Sequence, residues 1–479
     1  MVKRGDELSV KIIDLNSEGK GITRTAEGFV IFTEKALPGD EALIRIRKKK
    51  SNYAEARLLE IINPSPFRRD PQCEYFGTCG GCKVLNYEYI KQLEYKTNVV
   101  KTALSKIGGF KDLSVPDAIG CREIYYFRNK MEYSFSDDEW KSDYSREETN
   151  NDKPDKAEDG YALGLHVPGF HSKIINIEKC LLQSEYSNQL LKFTSRFFRE
   201  RKISVYSTKT HSGFLRFLVL REGKNTGEFM LNLITSSYNE ILIREYVENL
   251  NSSFPGITTI INSISEKKAQ IAVADKEIIL KGKGYIYEKL NTGIESGELN
   301  FRISSGSFFQ TNSLQAEVLF KKAVELSGLK NTDNVLDLYC GGGSISLFIS
   351  NFVNKVLGAE VVQSAVDDAN INKELNNSLN TEFITADIKD FLTGFREISE
   401  FNKVILDPPR SGLHPKICEI LSESDFEKII YVSCNPHTQA RDMQIICSKE
   451  RYKIENIQPV DMFPHTYHIE NIVTLARKE

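Results

Sequence analysis

The sequence lacks the long apolar runs and the leader that would carry a chain into or across a membrane. No stretch of its 479 residues reaches the roughly 20 consecutive apolar residues that a spanning helix needs. The first residues, Met1 to Asp6, contain no apolar core of a secretory signal. Nine cysteines, an odd number without a signal, argue against a disulfide framework and for a reducing compartment. We therefore expect a cytoplasmic protein without membrane contact.

Several cofactor signatures are missing as well. The glycine-rich loop at 335–344 has neither the G-x-G-x-x-G spacing of dinucleotide binders nor the Lys-Ser/Thr of a phosphate loop. The Cys-x3-Cys-x2-Cys spacing of radical enzymes is absent, and no internal repeat is visible. These absences argue against a dinucleotide-dependent enzyme, a P-loop protein and a radical enzyme.

The net charge of −3 hides an uneven distribution of charged residues. Residues 137–160 carry ten acidic and four basic side chains, so the rest of the chain is positive. This stretch has few apolar residues and is predicted to be a mobile acidic insertion. Residues 45–50 place five cations in six positions, either as a solvated loop or as a contact for nucleic-acid phosphates. The charge permits an RNA partner without requiring one.

The hydrophobic pattern predicts three regions, because 479 residues exceed one ordinary core. Residues 1–62 contain about five short strands separated by turns, the size of a small oligonucleotide-binding type of β-barrel. Residues 63–290 are predicted to be mixed α/β and begin with a linker, a cysteine triplet and a helix over 87–108. Residues 291–479 alternate strands with helices, which predicts a doubly wound parallel sheet with a ligand at its carboxyl edge.

Three acidic residues end successive predicted strands of this last region. Glu360, Asp387 and Asp407 follow the second, third and fourth strands, and the glycine loop follows the first. Glycines there let the backbone approach a ligand closely, and a strand-tip carboxylate can accept both hydroxyls of a ribose. The pattern therefore favours S-adenosylmethionine over NAD. The alternative is a structural turn with solvated carboxylates.

Cys434 follows the last predicted strand and precedes Asn435 and Pro436, which lifts a thiol onto a turn. It is either a nucleophile or a buried small apolar residue. Amino-methyltransferases place an aromatic after Asp-Pro-Pro, whereas this chain has Arg410, which disfavours an amine as methyl acceptor. A carbon such as C5 of uracil accepts a methyl group once a thiolate has added to C6. Glu470 is then the candidate base that removes the C5 proton, against the alternative of a surface or salt-bridged glutamate.

Three cysteines, Cys73, Cys79 and Cys82, lie close together with glycines between them. This spacing indicates a metal site, for which zinc and an iron–sulfur cluster are the two candidates.

In its motifs the chain resembles the RNA uracil-C5 methyltransferase family. The motifs are Gly306–Asn312, Asp337–Gly341, Asp407–Gly412, Ser433–Pro436 and Phe463–Glu470. The resemblance implies S-adenosylmethionine contacts from Gln310, Tyr339, Glu360, Asp387 and Asp407, with Cys434 as nucleophile and Glu470 as base. Residues 1–62 resemble a TRAM domain, and 291–479 is expected to be a Rossmann-like class I methyltransferase domain, on which helix 87–108 is expected to pack.

The cysteine triplet resembles the iron–sulfur, ribosomal branch of that family. There the fourth ligand of a [4Fe–4S] cluster follows a motif that Gly164–Gly169 matches, which implies Cys180. The expected substrate is a uridine of 23S ribosomal RNA, and no obligate protein partner is evident. Two rivals stay open: a transfer-RNA uracil methyltransferase, and a TRAM-bearing RNA-binding or methylthiolating protein with an inert Cys434. RNA contacts are either made by Tyr125, Tyr126, Phe127, Arg128 and Lys130, or these residues form a half-buried strand.

Overall fold

The computed structural model describes residues 2–140, 160–293, 297–394 and 396–478. The acidic insertion predicted at 137–160 therefore lies mostly outside the described residues. None of the helices within the described ranges is both long enough and apolar enough to cross a bilayer.

The first sheet is built from short strands near the amino terminus. In the described residues it has six strands: β1 Glu7–Lys11, β2 Asp14–Leu15, β3 Gly21–Arg24, β4 Val30–Thr33, β5 Glu41–Lys49 and β6 Tyr53–Asn63. Their order is β1-β5-β6-β4-β3-β2, and only β4 and β6 pair in parallel. Alternate residues of β5 are buried, so one face of the sheet covers a small apolar core. The sequence predicts about five short strands here, and the described residues contain six.

The second sheet occupies the middle of the chain. Its described strands are β7 Lys130–Ser136, β8 Ala162–Val167, β9 Phe170–Asn176, β10 Leu215–Glu222, β11 Phe229–Thr235, β12 Thr259–Ile264 and β13 Lys276–Lys281. They are ordered β13-β12-β11-β10-β7-β8-β9. A separate antiparallel pair, β14 Tyr285–Asn291 and β15 Glu298–Ser304, leads into the third region.

The third sheet carries the candidate site. It contains β16 Asn334–Leu338, β17 Lys355–Glu360, β18 Thr381–Thr385, β19 Lys403–Leu406, β20 Lys428–Ser433, β21 Tyr452–Val460 and β22 Glu470–Arg477. The α-helices of the described residues are α1 Tyr89–Lys106, α2 Glu185–Glu200, α3 Glu240–Ser253, α4 Ser313–Ser327, α5 Ser344–Ile349, α6 Gln363–Leu375, α7 Ile388–Gly394, α8 Pro415–Glu423 and α9 Pro436–Ile446.

The sheet order is β18-β17-β16-β19-β20-β22-β21. The first five strands are parallel, as the alternating pattern predicted, and they confirm the Rossmann-like fold class. The last two strands depart from this parallel arrangement, because β22 runs antiparallel to both β20 and β21. The amino end of β22 therefore lies at the same edge as the carboxyl ends of the parallel strands.

Helix α1 lies far from this sheet in sequence and packs against it in space. Val100, Ala103 and Leu104 share an apolar core with Tyr431 of β20 and Met443 of α9. The buried face of α1 thus belongs to the core of the third region, which places the helix beside the loop between β21 and β22.

Candidate active site

The glycine loop after β16 has a backbone that only glycine can supply at one point. Gly343 has a φ of +79°, and a Cβ there would lie 2.6 Å from the ring of Phe383. The loop turns close to β17, where the Gly341 N–H donates to Oε2 of Glu360 over 3.2 Å. The other oxygen of Glu360 accepts the backbone N–H groups of Val361 and Val362 at 2.9 and 3.0 Å. The Glu360 carboxylate is thereby fixed at the strand tip.

Tyr339 and Asp387 lie next to Glu360 along the same edge. Tyr339 has a left-handed φ of +67°, and its N–H donates to the carbonyl of Ala359 over 3.0 Å. Burial and then the nearby charge of Asp387 raise the pKa of Tyr339 to about 12. Asp387 is exposed, and its Oδ1 accepts the N–H groups of Lys389 and Asp390 at the start of α7. Asp387 therefore lies two residues beyond the end of β18 and caps the start of α7.

Gln310 belongs to a loop that central-domain side chains hold over the glycine loop. The amide of Asn129 donates to the carbonyl of Gln310 over 2.8 Å, and its backbone N–H donates to Thr311 over 2.9 Å. The buried Arg221 donates to the carbonyls of Ser305 and Ser307. A Cβ on Gly342 would lie 3.7 Å from the carbonyl oxygen of Phe308.

Cys434 and Glu470 are brought together by the pairing of β20 with β22. The register pairs Ser433 with Asn471, so Cys434 and Glu470 lie one step beyond this pair at the sheet edge. Directly opposed residues of an antiparallel pair have Cβ atoms about 5 Å apart. Gln439 fixes this corner, because its amide donates to the carbonyl of Asn471 over 3.0 Å and accepts from the Asn471 side chain at 2.7 Å.

The electrostatics of this corner favour the protonated forms of its acidic groups. Burial, then the carboxylates of Glu470 and Asp407, raise the pKa of Cys434 to about 11. Burial and Asp407 raise the pKa of Glu470 to about 8. Burial and Asp337 raise the pKa of Asp407 to about 7. Arg410 is the cation that opposes the first two shifts, so it favours both the thiolate and the carboxylate.

The turn after β19 is fastened to the turn after β20. The amide of Asn435 donates to the carbonyl of Arg410 over 2.9 Å, and Asn435 also accepts the His437 N–H at the start of α9. Gly412 has a φ of +76°, and a Cβ there would lie 2.5 Å from the Asp442 carboxylate. The Asp-Pro-Pro-Arg turn therefore holds Asp407 and Arg410 against Cys434.

Comparison with known proteins identifies what this geometry belongs to. A family model described as tRNA (Uracil-5-)-methyltransferase matches residues 229–478, more than half of the chain. An uncharacterized RNA methyltransferase of Chlorobaculum tepidum is 37% identical over 482 residues, covering 100% of this chain and 98% of that protein. The chain belongs to the RNA uracil-5-methyltransferase family. It is an S-adenosylmethionine-dependent RNA methyltransferase with a TRAM domain, whose model matches residues 2–59.

Two further matches cover nearly the whole methyltransferase. An RNA methyltransferase of Bacteroides thetaiotaomicron is 36% identical over 96% of this chain and 99% of its own. The crystal structure of the Pyrococcus abyssi tRNA (uracil-54, C5)-methyltransferase with S-adenosyl-L-homocysteine is 29% identical, with a TM-score of 0.75. That comparison covers 98% of this chain and 100% of the other. The family and fold predicted from the sequence are confirmed.

Two residues of the methyltransferase site were not singled out from the sequence. His468 lies two positions before Glu470, and its Nε2 is 3.3 Å from a guanidinium nitrogen of Arg410. Burial and the nearby cation Arg410 lower the pKa of His468 to about 4, so it is neutral at physiological pH. Phe308, in the Gln310 loop, leaves 68% of its surface exposed. Phe308 lies within the motif Gly306–Asn312, so its place in that motif was the signal available from the sequence.

The four predicted cluster cysteines line one cavity of the methyltransferase, of about 470 Å³, between the central sheet and the 461–469 loop. The cavity also contains Arg128, Thr311 and Thr466. Burial raises the pKa of Cys82, and the neighbouring Cys180, Cys79 and Cys73 raise it further. Among the described residues, no three His, Cys, Asp or Glu side chains are grouped closely enough to hold a metal ion.

The segment 125–130 turns inward along most of its length. Phe127 is buried, and the ring of Tyr125 stacks on His465 with centroids 4.8 Å apart. Arg128 faces the cysteine cavity, and Lys130 begins β7. Tyr126 is 43% exposed. Of the two interpretations left open for this segment, a half-buried strand applies only to Lys130, because β7 begins there.

Proposed function

We propose that the protein methylates C5 of a uridine in 23S ribosomal RNA through a covalent bond between Cys434 and C6 of the base. The observation that carries the proposal is the β20–β22 register, which sets the predicted nucleophile beside the predicted base at the donor-binding edge. S-adenosylmethionine supplies an electrophilic methyl group. Gln310, Tyr339, Glu360, Asp387 and Asp407 are the residues proposed to hold it.

The reaction balances with the groups present. Cys434 releases its proton to solvent, which Arg410 favours, and the thiolate bonds to C6 while the electrons of the C5–C6 double bond move toward C5 and O4. C5 then takes the methyl group, and the donor leaves as neutral S-adenosylhomocysteine. Glu470 removes the C5 proton, the double bond re-forms and the Cys434 thiolate is released. A carboxyl with a pKa near 8 is matched to this proton abstraction.

Two variants separate the halves of this reaction. Cys434→Ala is expected to abolish methylation while retaining RNA binding. Glu470→Gln is expected to methylate once and then remain attached to the RNA, since the proton is not removed. The measurement is a denaturing gel with RNA and methyl donor, in which Glu470→Gln gives a slow-migrating band. Absence of that band would show that Glu470 is not the base, and full activity of Cys434→Ala would remove the covalent mechanism.

Transfer RNA is the second candidate substrate. A solved enzyme that acts on tRNA matches 98% of this chain, so domain composition alone does not choose between the two RNAs. A strain without the gene is the decisive comparison, with 5-methyluridine mapped in its ribosomal and transfer RNA. We expect loss at a 23S site that is restored by the wild-type gene and not by Cys434→Ala. Loss in tRNA instead would contradict the ribosomal assignment.

We propose that Cys73, Cys79, Cys82 and Cys180 hold a [4Fe–4S] cluster. The support is that all four thiols line one cavity, and four cysteine thiolates are the ligand set that such a cluster takes. The group would fix the central domain against the loop 461–469 between β21 and β22, named the catalytic loop from here on, and no reaction step passes through it. Protein purified without oxygen is expected to contain iron and sulfide and to lose both in Cys82→Ser. Stoichiometric zinc in place of iron would contradict the proposal.

A further inference from the structure

The loop between β21 and β22 delivers Glu470 to the site, and helix α1 holds that loop through a buried ion pair. Lys96 of α1 and Asp461 are both 0% exposed. The Lys96 ammonium donates to Oδ1 of Asp461 over 2.6 Å and to the carbonyl of Phe463 over 3.0 Å. A residue some 370 positions earlier in the chain therefore contacts the first turn of the catalytic loop.

Asp461 is bound on its remaining sides as well. Its Oδ2 accepts the hydroxyl of Tyr89, also on α1, over 2.9 Å. Its Oδ1 accepts the Phe463 N–H over 3.0 Å, and its carbonyl accepts the Cys121 thiol over 2.9 Å. Both carboxylate oxygens are thus used in fixing the loop to α1 and to itself.

The contacts continue along the loop toward the base. The Phe463 carbonyl that Lys96 binds also accepts the Thr466 hydroxyl over 2.8 Å. The same hydroxyl accepts the His468 N–H over 3.2 Å. His468 reaches Arg410, the cation that favours the charged form of Glu470. Hydrogen bonds therefore connect Lys96 with the residues around the base.

A second attachment from α1 holds the middle of the loop. His465 has a left-handed φ of +67°, which is unfavourable for a residue with a side chain. Its N–H donates to Oε1 of Gln92 over 2.9 Å, and its carbonyl accepts the Lys83 and Val84 N–H groups at 2.8 and 3.1 Å. Surrounding contacts thus impose a conformation that the loop would not adopt alone.

A buried ion pair is an inefficient way to gain stability, because desolvating two charges offsets most of their attraction. Apolar side chains of α1 already pack it into the core. Unlike apolar packing, the hydrogen bonds of Lys96 have a fixed direction. They therefore hold the Asp461 carboxylate and the Phe463 carbonyl at defined positions.

We propose that Lys96, through Asp461, is a positioning residue for proton removal by Glu470. This inference rests on the proposed function and deepens it. It predicts that breaking the pair slows resolution of the covalent adduct while leaving its formation nearly unchanged, because Cys434 directly follows β20 and does not belong to this loop.

The test removes both charges together, so that neither is left buried alone. The variant is Lys96→Met with Asp461→Asn. A second buried pair in the same sheet region provides a matched control: Lys403 donates to Asp333 over 2.6 Å and to the Gly328 carbonyl over 2.7 Å, with 5% and 4% exposure. It lies at the start of β19, at the edge opposite the site. The control variant is Lys403→Met with Asp333→Asn.

Rapid-quench experiments with RNA and methyl donor measure adduct formation and decay separately. We expect the Lys96/Asp461 variant to form the adduct at close to the wild-type rate and to resolve it roughly 10- to 100-fold more slowly, the loss that a displacement of about 1 Å causes. The Lys403/Asp333 control should resolve it at the wild-type rate. Wild-type resolution in the first variant, or equal slowing in the control, would overturn the inference.

Two comparisons keep the result interpretable. Tyr89→Phe keeps the ion pair and removes the hydroxyl that donates to Asp461 and accepts the Cys121 N–H. It should slow resolution severalfold without changing the KM for RNA, and an unchanged rate would count against the inference. Glu470→Gln distinguishes a wrong assignment of the base from a wrong assignment of the positioning residue. If it accumulates no adduct, the proposed base is wrong; if it does and Tyr89→Phe behaves as wild type, only the positioning role fails.

Discussion

Glu470 begins β22 with 6% of its surface exposed, and burial together with Asp407 raises its pKa to about 8. An unfolded chain would hold this carboxyl at its ordinary pKa near 4.5. The folded protein therefore binds the proton more tightly over the interval between these values. Its contribution to stability is complete below the unfolded pKa and is lost as pH rises through the folded pKa. The raised pKa that suits Glu470 to act as a base thus lowers the free energy of unfolding at alkaline pH.

Glu470→Gln should accordingly stabilise the protein at alkaline pH, because glutamine resembles the protonated acid. We expect an increase in the free energy of unfolding of about 2 kcal/mol or more at pH 9, and little difference at pH 5. Urea denaturation at the two pH values measures both quantities. A stabilisation that does not grow with pH would contradict the assigned shift.

Glu288 provides the contrasting control for that experiment. It is also buried with a raised pKa, caused first by burial, but its carboxylate accepts the backbone N–H groups of Lys224, Asn225 and Lys289. Ser313 donates to it as well. Glutamine would turn an NH₂ group toward such donors, so Glu288→Gln should destabilise the protein at both pH values.

At the scale of secondary-structure elements, Asn312 joins the start of α4 to the catalytic loop. Its side chain accepts the Gln315 N–H over 3.2 Å, which caps the helix, and donates to the Met462 carbonyl over 3.0 Å. Asn239 caps α3 in the same way, accepting the Leu242 N–H over 3.2 Å. Both residues therefore cap a helix, but Asn312 also bonds to the Met462 carbonyl of the catalytic loop.

Asn239→Ala should cost about 1 kcal/mol of stability, the usual loss for a helix cap. Asn312→Ala should cost about 2 kcal/mol, because it also leaves the buried Met462 carbonyl without its donor. Chemical denaturation gives both values. Asn312→Ala should in addition weaken binding of S-adenosylhomocysteine, measured by calorimetry, whereas Asn239→Ala should not. If the two variants lose the same stability and bind S-adenosylhomocysteine equally well, the contact between Asn312 and Met462 contributes to neither property.

Sequence patterns predicted strands correctly where an apolar run is followed by a turn or motif. They did not predict features that depend on pairing between distant strands. The strands predicted before the glycine loop and before Asp407 match β16 and β19, since each is a short apolar run followed by a motif. The β22 direction could not be read, because pairing with β20 rather than any local signal makes it antiparallel. Cys434 and Glu470 were proposed from chemistry and motif. Their adjacency, and the hold of α1 on the intervening loop, depend on contacts between distant segments.

At the scale of the whole molecule, the TRAM sheet and the catalytic loop meet at α1. Leu15 and Leu37 of the amino-terminal region pack with Tyr95 of α1, and Tyr467 of the catalytic loop joins this cluster. The Tyr95 hydroxyl also donates to the carbonyl of Asn16 over 2.9 Å. RNA held by the TRAM region would therefore be bound to a part of the molecule that touches the loop carrying Glu470.

The cation run at the β5–β6 turn is the part of the TRAM sheet best suited to phosphate contact. Lys48, Lys49 and Lys50 are exposed there. Each phosphate that a lysine neutralises releases condensed counterions, so binding constants fall with salt by a slope of about 0.7 to 0.9 per contact. Changing all three to Ala should reduce the slope of log K against log salt concentration by about 2, as measured by fluorescence anisotropy with substrate RNA.

The control changes three other exposed lysines, Lys101, Lys106 and Lys111, on and after α1. It removes the same net charge from a different surface, so a general electrostatic effect would appear in both variants. We expect the control to leave the slope within about 0.5 of the wild type, since long-range charge alone is screened at moderate salt. If both variants lower the slope equally, or neither does, the run at the β5–β6 turn is a solvated loop and RNA is bound elsewhere on the protein.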